Sequence, residues 1–185
     1  MSAPQSQSPV SYRVNVAHLP GKGLPVWLEA DDAQRDALAR EHGLLSVERF
    51  RFDFTLSRWQ GSAVKVHGKV AADIVQACIV TLEPVPAAIG EDVDAIFVPE
   101  GSRLFRPEFY EKGELVLDAE GEDAPETFKG DMIDVGALAE EFFALAIDPY
   151  PRKEGAVAEV APGVGPDEPE QGPLAEKLGQ LFRKS

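Results

Sequence analysis

With one cysteine, two methionines and three histidines in 185 residues, the chain lacks the side chains that several kinds of chemistry require. A single thiol cannot close an internal disulfide, which fits a reducing, cytoplasmic setting. His18, His42 and His67 fall in an expected turn, a helix end and a strand. None stands at the paired Cys/His spacing of a zinc site, so no metal or cofactor is expected. No apolar run approaches the roughly 20 residues that cross a bilayer. Met1–Pro9 has no basic stretch followed by an apolar one, so a secretory signal is not expected there. There is also no glycine-rich phosphate loop, nucleophile elbow or dinucleotide fingerprint. Carboxylates are plentiful, but no pair is marked out for acid–base work, and no enzyme is expected.

Positive charge is scarce too. Eighteen Lys and Arg face 32 Asp and Glu, for a net charge of −14. Residues 1–85 balance nine against nine, and residues 86–185 hold nine against 23, so the whole excess of acid lies in the second half. Such a chain repels phosphates at long range. Contact with RNA would need a local patch in the first half, and the other suitable partner is a basic protein.

Alternating apolar and polar residues provide the strongest structural signal. Phe50, Phe52, Phe54 and Leu56 alternate with Arg49, Arg51, Asp53 and Thr55, the period of two of a half-buried strand. Val64, Val66 and Val70 alternate in the same way with Lys65, His67 and Lys69. Ser11–Val16, Leu24–Ala30 and Ile89–Val98 read as further strands, and Ile74–Leu82, apolar on both faces, as a central one broken or edged by Pro84 and Pro86. Glu114–Leu117 reads as one more short strand. Asp31 or Asp32 caps a short helix that stops near Gly43, and Asp134 caps a longer one. Leu138, Phe142, Leu145 and Ala146 form a helical stripe there, expected to pack Phe142 and Leu145 inward. With no helical crossovers between the strands, the expected fold is α+β. It is a curved antiparallel sheet or partial β-barrel with a packed helix, followed by a flexible C-terminal tail. The expected boundaries are disorder over 1–9, a domain over 10–155, an acidic disordered linker over 156–172 and a short amphipathic helix over 173–185.

Two features are candidate sites, and a third is weighed against them. Arg49 and Arg51 on one strand, with Lys65, His67 and Lys69 on the next, would share a sheet face if the strands pair, with Arg58 and Trp59 at the hairpin end. A basic face with an aromatic edge can hold RNA phosphates and stack a base. The same residues also suit an ordinary solvated face, since Asp53 and Asp73 dilute the charge. Leu174, Leu178, Leu181 and Phe182 share one face of the C-terminal helix, which could fold back on the domain or insert into a partner's groove. Cys78, flanked by Ile79 and Val80, reads as a small core residue.

Two segments resemble the YceD-like family of large ribosomal RNA subunit accumulation proteins. One is Cys78-Ile-Val-Thr-Leu-Glu-Pro-Val85, similar to a family strand that carries Cys-x-x-Cys before a Leu-Glu-Pro-like sequence. The other runs from Asp131 to Arg152, and its Asp148-Pro-Tyr-Pro-Arg152 ending looks like the alphaproteobacterial branch. The resemblance covers residues 10–155. Thr81 stands where the second cysteine would be, so the usual Cys pair cannot form. The resemblance implies a non-catalytic bacterial ribosome-biogenesis factor that supports accumulation of large-subunit ribosomal RNA. It would act by binding RNA or a basic ribosomal protein, or as a protein–protein adaptor without direct RNA contact, with no membrane and no small-molecule substrate.

Overall fold

A computed structural model describes residues 7–101, 110–111, 114–115 and 125–156. The chain divides into two units, Met1–Lys153 and Glu154–Ser185, and the first holds every element discussed below. The expected tail helix, with Leu174, Leu178, Leu181 and Phe182, lies outside the described residues, as does most of the expected linker. At the other end, residues 1–6 lie outside them, and the Ser11 N–H donates to the Ser8 carbonyl (3.0 Å) in a turn.

The strand signals produce a five-stranded sheet in the order β2-β3-β4-β5-β8. These strands are Leu24–Glu29, Ser46–Trp59, Ala63–Ala77, Pro84–Pro99 and Glu126–Phe128. β2 to β5 form an antiparallel meander, and β8 joins β5 in parallel over three residues. β2 and β8 remain at the edges, so the sheet is not closed into a barrel. β1 (Arg13–Asn15) pairs with β9 (Met132–Asp134) in a separate ladder, and β6 (Tyr110–Glu111) pairs with β7 (Glu114–Leu115).

The alternation assigns the two sheet faces as expected. Phe50, Phe52, Phe54, Leu56, Val66 and Val70 are buried on the inner face. Phe52 and Phe54 stack at 4.8 Å. Gly68 lies opposite Phe54, where a Cβ would come 2.0 Å from the Asp53 carbonyl oxygen and 2.8 Å from the Phe54 Cα. Only glycine permits that approach.

Helix α1 (Asp32–Glu41) carries a capping box: Asp31 accepts from the Gln34 N–H, and the Gln34 side chain accepts from the Asp31 N–H. Helix α2 (Val135–Ala146) begins at Asp134, whose carboxylate accepts from the N–H groups of Gly136 and Ala137. The same carboxylate receives the Ser11 hydroxyl and the Tyr12 N–H, and so ties the N-terminal segment to the helix start. Burial works against the charged carboxylate, but these four donors outweigh it and hold its pKa below the usual range. At Gly136 a Cβ would lie 1.9 Å from the Val10 carbonyl oxygen, so glycine admits the N-terminal segment here as well.

Two expectations need correction. First, α2 is turned differently on the sheet. Leu138, Ala139 and Phe143 are buried, Phe142 is half-buried, and Leu145 is 78% exposed. Phe143 meets Phe50 edge-on at 5.4 Å and His42 at 5.3 Å. Second, Ile74–Leu82 is not one continuous strand. β4 ends at Ala77, and Cys78–Glu83 is the turn into β5. The Cys78 N–H donates to the Glu83 carbonyl, and the Leu82 N–H donates back to the Cys78 carbonyl. Leu82 takes a left-handed backbone (φ 61°), which gives this apolar run its sharp reversal. Pro84 and Pro86 therefore open β5. Both stand where a backbone N–H would point away from β4, so neither costs a ladder bond.

Candidate functional site: a charge-paired sheet face

The register of β2 to β5 brings most of the expected basic stripe together on the outer face. Arg49 and Arg51 on β3 lie on that face, as do Lys65, His67 and Lys69 on β4. The same register also adds acid. Asp73 lies opposite Arg49, Asp53 opposite Lys69, and β5 places Asp94 opposite His67 and Asp92 opposite Lys69. β2 contributes Trp27 and Glu29.

Each of the four full cations is held by a carboxylate. Arg49 Nε donates to Asp73 at 2.8 Å and Arg51 Nε to Asp53 at 2.7 Å. Lys65 Nζ reaches Asp94 and Lys69 Nζ reaches Asp92, both at 2.9 Å. His67 Nδ1 lies 3.6 Å from the same Asp94. The Arg51 guanidinium holds the Asp53 carboxyl below its ordinary pKa. Arg49, Arg51, Lys65 and Lys69 thus stand against Glu29, Asp53, Asp73, Asp92 and Asp94 on one face, which is close to neutral. Exposed pairs of this kind contribute little to stability. Their main effect is to cancel the field that a phosphate backbone would sense.

Arg58 is not part of the stripe. It projects on the opposite side of β3 from Arg49 and Arg51, and its guanidinium donates to the Ala17 carbonyl at 2.9 Å. Trp59 does share the outer face, half-buried at the hairpin end. Sequence reasoning missed the carboxylates of β5 because their strand pairing was not visible. It also missed Trp27, which is 63% exposed on the outer face opposite Asp53.

Cys78 sits where the two motif segments meet. The Ile79 N–H donates to the Pro151 carbonyl, Gln76 Nε2 to the Asp148 carbonyl, and Lys153 Nζ to Glu83. The fully buried Cys78 Sγ accepts the Lys153 N–H at 3.4 Å. That bond, with the Thr81 hydroxyl and the N–H groups of Thr81 and Val80, brings the thiol pKa down to about 6 against the opposing effect of burial. The sulfur is shut off from solvent and accepts hydrogen bonds from both segments, so it acts as a structural acceptor in the turn.

An open groove of about 670 Å³ between α1 and the start of β3 is lined by Arg35, Ala39, Leu45 and Val47 among others. Its lining is largely polar, with Asp32, Asp36, Arg40, Ser46 and Glu48 beside Arg35. Among the described residues, no cluster of three or more His, Cys, Asp or Glu could hold a metal ion. No helix among them is long and apolar enough to cross a membrane.

These observations define an α+β protein with an open sheet, a charge-balanced outer face and a buried turn cysteine. A family model described as "Large ribosomal RNA subunit accumulation protein YceD" matches residues 66–180. The chain belongs to this YceD family, whose description places it in ribosome biogenesis as an accumulation factor. The match takes in β4 from Val66 onward, the Cys78 turn, β5 and α2, and leaves out β1, β2, α1 and β3, so Trp27, Arg49, Arg51 and Lys65 lie outside it. No curated protein and no solved structure matches the chain.

Proposed function

We propose that the chain supports accumulation of large-subunit ribosomal RNA by binding, without catalysis, and that its direct partner is a basic ribosomal protein. The observation that carries this reading is the pairing of all four full cations described on the outer face, Arg49, Arg51, Lys65 and Lys69, with carboxylates. RNA binding releases counterions in proportion to the cations that reach phosphates. Here each such cation would first have to leave a carboxylate, within a chain whose net charge is −14. The same acidity attracts a basic protein and steers its approach. Holding such a protein until it meets the RNA would raise RNA levels indirectly, in the cytoplasm where subunits assemble.

The test is a pair of equilibrium titrations of the purified full chain. One uses protein-free large-subunit RNA, and the other uses purified basic proteins of the same subunit. Saturable, salt-sensitive binding to at least one basic protein is expected, with none to the RNA. RNA binding that is lost when Arg49, Arg51, Lys65 and Lys69 are reversed would overturn the reading and restore the sheet face as an RNA site.

A further inference from the structure

The outward edge of β2, to which no described residue bonds, is the strongest unassigned feature of the fold. Ala30 lies opposite Phe50, and its N–H donates to the Phe50 carbonyl at 2.9 Å. In an antiparallel ladder, alternate residues bond to the neighbouring strand, so Leu24, Val26 and Leu28 turn their backbone groups toward β3. Pro25, Trp27 and Glu29 then turn theirs outward. Pro25 has no N–H to leave unpaired, which suits an edge. Trp27 and Glu29 each present an N–H and a carbonyl, and no described residue bonds to them.

Side chains at the same positions add specificity. The Trp27 indole is exposed on the outer face, and Glu29 makes no direct ion pair among the described residues, although its charge is felt by Arg49 and Arg51. Its register partner Arg51 is already bound to Asp53. The long edge of β5 differs: Pro84 and Pro86 interrupt it, and its Asp92 and Asp94 are tied to Lys69 and Lys65. On β2, backbone groups that no described residue bonds, an exposed indole and a carboxylate without a direct ion pair among the described residues occur together over three residues.

We infer that β2 is a docking edge for an extended, Arg- or Lys-containing segment of a protein partner, which adds a strand beside Trp27 and Glu29. Backbone pairing requires an extended segment. Glu29 and the face of the Trp27 ring select for positive charge on the outer side of that strand, the ring through a cation–π contact. Partly buried Leu24 and Leu28 favour apolar residues on its inner side. The occupant is thus a strand that alternates basic and apolar residues. The inference deepens the basic-protein reading above and rests on it.

The probe is an end-capped eight-residue peptide of alternating Arg and Val, titrated into the isotope-labelled full chain and followed by NMR. Saturable shifts are expected at the Trp27 and Glu29 amides, together with slowed exchange of both. Trp27→Pro removes the outward N–H and the ring, and abolishes binding. Trp27→Val keeps a strand-forming residue and weakens binding by about fivefold, the share of the ring. A peptide of alternating Glu and Val does not bind. Peptide binding with shifts away from β2 would overturn the edge and leave the basic-partner reading standing. Absence of any peptide binding would overturn the edge, while the titration with basic proteins of the subunit separately decides the reading above. Concentration-dependent self-association through β2 in the absence of peptide would overturn the inference in favour of a second copy of the chain.

Discussion

Replacing Phe143 with alanine tests how α2 sits on the sheet. The side chain is fully buried, with its ring edge-on to Phe50 at 5.4 Å and to His42 at 5.3 Å. Truncating such a residue removes its transfer free energy and leaves a cavity that the β-sheet cannot collapse to fill, at a cost of about 3–5 kcal/mol. That is a large part of the 5–15 kcal/mol by which domains are usually stable. Leu145, two residues on, lies about 200° further round the helix. It is 78% exposed, so Leu145→Ala should change stability by no more than about 0.5 kcal/mol. Urea unfolding followed by circular dichroism measures both, with equal slopes showing that the denatured state has not changed. If Leu145→Ala cost as much as Phe143→Ala, the helix would be turned as its sequence stripe suggests, and the packing described above would be wrong.

Other substitutions probe the turn, the N-terminal tie and the helix clasp. Gly136→Ala should displace the N-terminal segment, since its Cβ would meet the Val10 carbonyl oxygen, and limited proteolysis should then cut near residues 10–16 well before the sheet. Cys78 gives up its proton near pH 6 in the folded chain but only near 9.0 when unfolded, so its contribution is fully present above pH 9 and is lost as pH falls through 6. Stability should therefore rise between those values, and Cys78→Ala should flatten that rise; parallel pH profiles for the two proteins would contradict the hydrogen-bonded thiolate. His42 Nε2 lies 3.0 Å from the largely buried Glu140, so His42→Ala should strand that carboxylate and destabilise by about 1–3 kcal/mol, with Glu140→Gln losing less.

Strands with strong alternation were legible in the sequence. Phe50 to Leu56 and Val64 to Val70 assigned their faces correctly because only one registration buries the rings and the valines together. α2 was harder to read because it is apolar on two adjoining stripes. Leu138, Phe142 and Leu145 follow one row, and Val135, Ala139 and Phe143 follow the other, and only the shape of the facing sheet selects between them. The Cys78 turn was masked by its own composition, since Cys-Ile-Val-Thr-Leu has the residues of a buried strand. What reverses the chain is the left-handed backbone at Leu82, a conformation that a leucine does not advertise. The candidate face was half legible. Its cations are local in sequence, but Asp92 and Asp94, which neutralise them, arrive from a strand more than 20 residues away.

The central claim is that the outer face is neutral by ion pairing and that the chain therefore acts through a basic protein. The most direct measurement is the affinity of the intact chain for protein-free large-subunit RNA across a salt series, beside its affinity for purified basic proteins of that subunit. The predicted result is no RNA binding at physiological ionic strength, with protein binding that weakens as salt rises. RNA binding whose salt dependence corresponds to three or four phosphate contacts, and which vanishes on reversing Arg49, Arg51, Lys65 and Lys69, would contradict it.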